Sequence, residues 1–218
     1  MFSITYAIVC RELALLDVRL ADTSSKNPEF VSFRKLLVIR CRTEFETLSV
    51  NDNERTLKLN EIEECTLAEE KKNMQLKLKN YDRKVRRKSL GIVRFIGELF
   101  KQQMLTANMM IRCLSNFLTY DHEISVECLC TLLRTVGKKL ESKSVNLDHI
   151  FKAVSEIVEG KHQKVSNRLR FMLQDVIDLR CSNWISGRQS EEDHTRVELY
   201  IKLRAILNRL TLNFICYF

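Results

Sequence analysis

Three groups of residues in this chain have types and spacings that could do chemistry. The first is Cys128-x-Cys130 with His122 nearby, a pattern that suggests zinc or a thiol nucleophile. On a helix, however, positions two apart point about 200° from each other, which is poor for chelation. The pair reads better as two small hydrophobes, and His149 and His162 have no partners at a metal-ligand spacing. The second group is Asp175 and Asp178, one helical turn apart and accompanied by Arg168, Arg170 and Arg180. Paired carboxylates can do acid–base work, but arginines nearby would hold both ionised. Docking or ion pairing is the expected role. The third group is basic: Arg83, Lys84, Arg86, Arg87 and Lys88, followed by Arg94 and Lys101.

Contact with phosphate needs only positive charge within reach, so the run Arg83–Lys88 is a candidate for RNA backbone. Lys161, His162, Lys164, Arg168 and Arg170 form a weaker second group. Read as N-terminal regions of helices, both groups oppose the helix dipole, which favours a functional reason for them. No aromatic stripe interleaves the charges, so base stacking is not expected, and RNA binding should be salt-sensitive and weakly sequence-specific. There is no phosphate-cradling glycine loop and no nucleophile elbow. The chain therefore reads as a non-enzyme that needs neither metal nor cofactor. Phe171 lies between Arg170 and Met172, beside the apolar face of its helix. It could be an interface anchor at a rim or a core phenylalanine.

The elements that must position these groups are helical. Across 218 residues there is one proline, Pro28, and only five glycines, far fewer turn residues than a sheet protein needs. The composition, 45% hydrophobic and 29% charged, suits a substantial core under a solvated surface. The net charge of +8 favours an anionic partner. The eight cysteines lie mostly inside helical patterns and read as reduced and intracellular. Arg11 and Glu12 interrupt the apolar start, against a secretory signal, and no run is apolar enough to span a membrane.

Apolar periodicity predicts a helix over 3–20, then a polar loop from Asp22 to Pro28. A second helix is expected from Phe30 or Val31 to about Asn51-Asp52-Asn53. Residues 54–80 read as a solvated helix, acidic first and basic later, in keeping with a helix dipole. Two dense amphipathic segments follow about eighty residues apart, Ser89–Lys101 and Arg168–Arg180. Between them, helices are expected to open at Thr106, at Ser125 and near Leu147, and the later of the two dense segments to open at Ser166. Ile96, Leu133 and Leu173 recur at separations of 37 and 40 residues on alternate helices. A helical-hairpin period near forty is the mark of a HEAT-type α-solenoid, in which each hairpin buries its face only against its neighbours. The division expected is a repeat domain over 2–184 and a linker and tail over 185–218. The linker is Ser186–Ser190, a further helix could run through Leu199, Leu203, Ile206 and Leu210, and the chain ends in an apolar stretch, Leu212–Phe218.

The chain resembles the middle domain of eukaryotic translation initiation factor 4 gamma. Arg87-Lys-Ser-Leu-Gly-Ile-Val-Arg-Phe-Ile-Gly-Glu-Leu-Phe-Lys101 is similar to a helix of that family's third repeat. Glu127-Cys-Leu-Cys-Thr-Leu-Leu-Arg-Thr-Val-Gly-Lys138 is similar to the fourth, and Arg168–Trp184 to the fifth. Upstream, Val31–Leu37 with Arg40–Glu46 resembles the second repeat, and Phe2–Ala7 its opening helix. The resemblance implies a HEAT-repeat scaffold in translation initiation, cytoplasmic, that binds the DEAD-box RNA helicase initiation factor 4A and RNA and promotes recruitment of mRNA to the ribosome. Larger members also contact initiation factor 3. Carried over residue by residue, it makes Arg168, Arg170, Phe171, Gln174, Asp175 and Asp178 the expected helicase contacts. The family's domain opens with a helix pair ahead of the residues matching Phe2, so the resemblance implies a domain lacking its first repeat, which helps hold one helicase lobe. Three other readings compete: a related adaptor in mRNA decay or nuclear cap binding, a mainly electrostatic RNA-binding protein, and an enzyme using the Cys128/Cys130/His122 neighbourhood. The wording of Phe95–Lys101 and Arg168–Trp184 favours initiation over the related adaptors.

Overall fold

The computed structural model describes residues 2–23, 32–65, 67–119, 123–160, 165–185, 201, 202 and 205, with backbone alone at 2, 16–23 and 48–53. The helices named in chain order are α1 (Phe2–Thr23), α2 (Phe33–Glu64), α3 (Ala68–Lys101), α4 (Ala107–Thr119), α5 (Glu123–Glu141), α6 (Asp148–Val158) and α7 (Asn167–Cys181). The described residues contain no strand. No described helix is long and apolar enough to cross a membrane. The expected start at Phe30 or Val31, most of the Asp22–Pro28 loop, and His122, Lys161, His162 and Lys164 lie outside the described residues. So do the Ser186–Ser190 linker, Leu199, Leu203, Ile206, Leu210 and the Leu212–Phe218 end.

The helices form two rows. α1, α3, α5 and α7 pack one against the next, while α4 rests on α3, α5 and α6, and α6 on α7. This is the stacked-hairpin solenoid that the forty-residue period predicts. Ile96, Leu133 and Leu173 are buried at equivalent places in α3, α5 and α7. One continuous core runs through the stack, from Ala7 and Cys41 through Leu99, Phe100, Met110 and Leu129 to Leu169 and Val176. The second row joins it partly through Phe45 of α2, which meets Phe117 of α4 edge-on at 5.1 Å. The inner row packs closely where a glycine permits it. At Gly97 an added Cβ would come 2.7 Å from Thr135 Cγ2 of α5, so backbone and neighbouring side chain meet without room for a methyl group.

The expected boundaries hold at some ends and fail at others. Thr106 caps α4 through a hydrogen bond from the Met109 amide to its Oγ1 at 3.4 Å. Ser166 is the N-cap of α7 but makes no side-chain cap bond. α5 begins at Glu123, two residues before Ser125. The larger departure is in the middle. α2 does not end at Asn51–Asn53 but continues to Glu64. Asn and Asp are only mildly unfavourable within a helix, and no proline or glycine stands there to stop it. The chain reverses instead at Cys65 and Leu67, both in extended backbone. Residues 54–80 are thus the end of one helix and the start of another, so Glu61, Glu63 and Glu64 sit at a C-terminus, against the dipole reading. By the same token Arg83–Lys88 lies mid-helix in the 34-residue α3, and the argument from its opposition to a helix dipole does not apply there.

Candidate partner-binding surface

α7 is positioned by a buried face of Leu169, Leu173 and Val176, all fully inaccessible and spaced four and three residues apart. That spacing turns the remaining residues outward. At 100° per residue, Arg168, Arg170, Phe171, Gln174, Asp175 and Asp178 fall on one arc of about 160° opposite the core. The six residues expected to meet the helicase therefore share a face, and all are exposed. Phe171 settles between its two readings: at 70% exposure it is not a core residue. The polar residues around it are held by short contacts. Arg134 of α5 donates to Asp175 at 2.9 Å, and Gln174 Nε2 donates to Asp178 at 2.9 Å. Asp175 and Asp178 are therefore engaged as acceptors by Arg134 and Gln174, rather than by Arg168 or Arg180 as their spacing suggested. Arg180 is engaged elsewhere, with Glu141 at 2.7 Å and Asp148 at 2.6 Å. That contact holds the Asp148 carboxyl below its usual range.

The far end of α7 is fixed by Trp184. Asn183 and Trp184 both adopt left-handed backbone, which folds the indole back over α5. An added Cβ at Gly137 would lie 1.9 Å from the Trp184 ring, so only glycine leaves space for it. The indole N–H donates to Glu141 at 2.5 Å, and the ring meets Phe151 of α6 edge-on at 6.1 Å. Arg180 lies over that same phenylalanine, 4.4 Å from its centroid. Trp184 thus locks α5, α6 and α7 together.

The basic run on α3 divides in two. Arg83, Lys84 and Arg87 are exposed and form no ion pair with a described residue, whereas Lys88, though also exposed, and Arg86 are paired. Arg86 donates to Glu127 at 2.5 Å, and Lys88 pairs with Glu44 of α2 at 3.2 Å. Glu127, on α5, is the junction of the whole surface. Its side chain is 4% exposed, and its second oxygen accepts from Arg168 of α7 at 2.7 Å. One buried carboxylate therefore joins the candidate RNA edge of α3 to the candidate helicase face of α7. Sequence reading missed this role, yet a signal was present: Arg86, Glu127 and Arg168 are spaced 41 residues apart, as are Arg134 and Asp175. In a solenoid of that period, such residues stand side by side.

The cysteine constellation does not open into a site. Cys128 and Cys130 are both buried in α5, at 1% and 0% exposure. Burial pushes each thiol up to about 12, so both stay protonated, the opposite of what a nucleophile or metal ligand requires. The cysteines among the described residues are free thiols.

Fold and surface together define a class: a stack of helical hairpins whose inner row carries an exposed, largely polar face. The MIF4G domain family model matches residues 1–183, and the chain belongs to that family. It is 42% identical over 201 residues to eukaryotic translation initiation factor 4 gamma 3 of mouse and of human, covering 91% of this chain. It is also 42% identical over 196 residues, 89% of the chain, to mouse eukaryotic translation initiation factor 4 gamma 1. Eukaryotic translation initiation factor 4G of Arabidopsis thaliana is 33% identical over 181 residues, 80% of the chain. The chain spans 12% of the length of the three mouse and human relatives and 10% of the plant one.

Proposed function

We propose that this chain is a non-catalytic scaffold module of translation initiation. It binds a DEAD-box RNA helicase of the initiation factor 4A type through α7 and RNA through α3, and so promotes recruitment of mRNA to the ribosome. Its repeat domain covers residues 2–184, it works in the cytoplasm, and initiation factor 3 is a further partner to test. The observation that carries the reading is Phe171, 70% exposed at the centre of a face of ordered polar groups. An aromatic side chain left in water beside Arg and Asp partners is the composition of an interface hot spot. Arg168 is held by the buried Glu127, and Asp175 by Arg134, so the face is preorganised and loses little side-chain freedom on binding. Arg83, Lys84 and Arg87 give the α3 edge the exposed positive charge that phosphate contacts require.

The test is the RNA-dependent ATPase of the purified helicase, measured with and without this chain. A scaffold that holds the helicase in a productive arrangement raises its turnover. Unchanged turnover together with absent binding would refute the reading, whereas binding without stimulation would retain the partner and remove the stimulating role.

A further inference from the structure

α2 and α3, at 32 and 34 residues, are far longer than α4 to α7, none of which exceeds 19. Within their extra length the two helices pair with each other. Tyr81 donates to Glu54 at 2.6 Å, Arg55 pairs with Asp82 at 3.1 Å, and Lys58 sits 3.8 Å over the Tyr81 ring while also pairing with Glu54. Ile62 and Leu78 are buried in this hairpin, but no described residue between Phe45 and Leu90 belongs to the central core. Residues 54–82 therefore form an arm joined to the solenoid rather than a part of its stack.

The arm is charged along α3 in a directional way. From Lys71 to Lys88 there are nine cations and one anion, Asp82, which Arg55 already engages. Lys72, Lys79, Arg83 and Arg87 fall within about 80° of one another on the helix and span about 22 Å along it. All four are exposed, and none forms an ion pair with a described residue. Arg86 and Lys88, by contrast, are tied to Glu127 and Glu44.

Resting on the RNA-binding reading above, we propose that the RNA site is this linear stripe, Lys72–Lys79–Arg83–Arg87, running from the body out along the arm, and not the compact run Arg83–Lys88. The ligand is a single RNA strand held by its phosphates. A straight row of unpaired cations on a rigid helix matches a polyanion, whereas a protein partner would need buried apolar anchors. Leu76, exposed between Lys72 and Lys79, is too isolated to serve as one.

The test is a fluorescence-anisotropy titration of labelled oligouridine with the full chain at several salt concentrations. Each single-strand phosphate contact contributes about 0.7 to the slope of log affinity against log salt. Lys72→Gln/Lys79→Gln should lower that slope by about 1.4, and Arg83→Gln/Arg87→Gln by as much, while Lys88→Gln leaves it unchanged. Circular dichroism checks that each variant keeps its helices. If the Lys72/Lys79 variant keeps the wild-type slope while the Arg83/Arg87 variant loses it, the stripe is wrong and the RNA reading stands. If Lys88→Gln lowers the slope like a stripe lysine, the binding is diffuse net charge and the stripe is wrong. Polyglutamate displacing the RNA at equal charge concentration would reassign the stripe to acidic polypeptides. Absence of RNA binding in the unmodified chain would remove the RNA reading and the stripe together.

Discussion

α3 and α7 belong to the same row of the solenoid and both carry arginines outward, yet they offer different things. α3 presents charge along an arm whose described residues lie outside the central core. α7 presents an aromatic ring among paired polar groups, on a helix clamped by Leu169, Leu173, Val176 and Trp184. The difference teaches how to separate two kinds of surface in a repeat protein. Where charge stands unpaired and no apolar side chain clusters with it, the fitting partner is a polyanion held by Coulomb attraction. Where an exposed ring is framed by side chains already held in place, the fitting partner is a protein. α5 lies between the two, and Glu127 touches both.

The largest expected effect tests whether the two regions are mechanically separate. Trp184→Ala removes a buried indole and its bond to Glu141, and should cost about 3–5 kcal/mol in the region it locks. Hydrogen exchange should show α6 and α7 losing protection while residues 68–88 of α3 change little. Equal loss in both regions would make them one cooperative unit and end the distinction.

Glu127→Gln should have a smaller effect on stability, about 1–3 kcal/mol, because two charge-assisted hydrogen bonds are weakened while their arginines remain half in water. Its value lies in opposite signs at the two surfaces. Freed from the carboxylate, Arg86 should strengthen RNA binding and steepen its salt dependence, while Arg168 loses its anchor and helicase affinity falls. Titrations with each partner check this, and a loss of both affinities would reduce Glu127 to a purely structural role.

The smallest effect concerns the floor beneath both regions. With their thiols pushed up to about 12, Cys128 and Cys130 should resist alkylation at pH 8, while the exposed Cys181 at the end of α7 reacts readily. Mass spectrometry of the labelled protein reads the order directly. Early labelling of Cys128 would show that α5 opens more easily than its burial implies.

Much of this was legible in the sequence because a solenoid repeats. The recurrence of Ile96, Leu133 and Leu173 predicts the stacked inner row, and helical spacing puts Leu169, Leu173 and Val176 on the core side. The six candidate contacts come from the resemblance, and only the exposure of Phe171 decides between core and rim. What escaped was decided by contacts between distant residues. Asn51-Asp52-Asn53 looks like a helix end, but the pairing of Glu54 and Arg55 with Tyr81 and Asp82, 27 residues on, holds α2 beyond it. Lys88 is chemically like Lys84, and only the position of Glu44 across the hairpin distinguishes them. Trp184 falls within the repeat domain expected over 2–184, but the seating of its ring over Gly137 of α5 depends on a contact between distant residues that spacing does not show.

The central claim is that α7 is a helicase-binding face centred on Phe171. Isothermal titration of purified helicase into the full chain, repeated with Phe171→Ala, tests it most directly. The account predicts specific binding that the substitution weakens by at least about 30-fold, roughly 2 kcal/mol. Thermal stability should stay unchanged, since the ring is exposed, and so should RNA affinity, since an uncharged ring supplies no phosphate contact. Equal helicase affinity for the two proteins would contradict it.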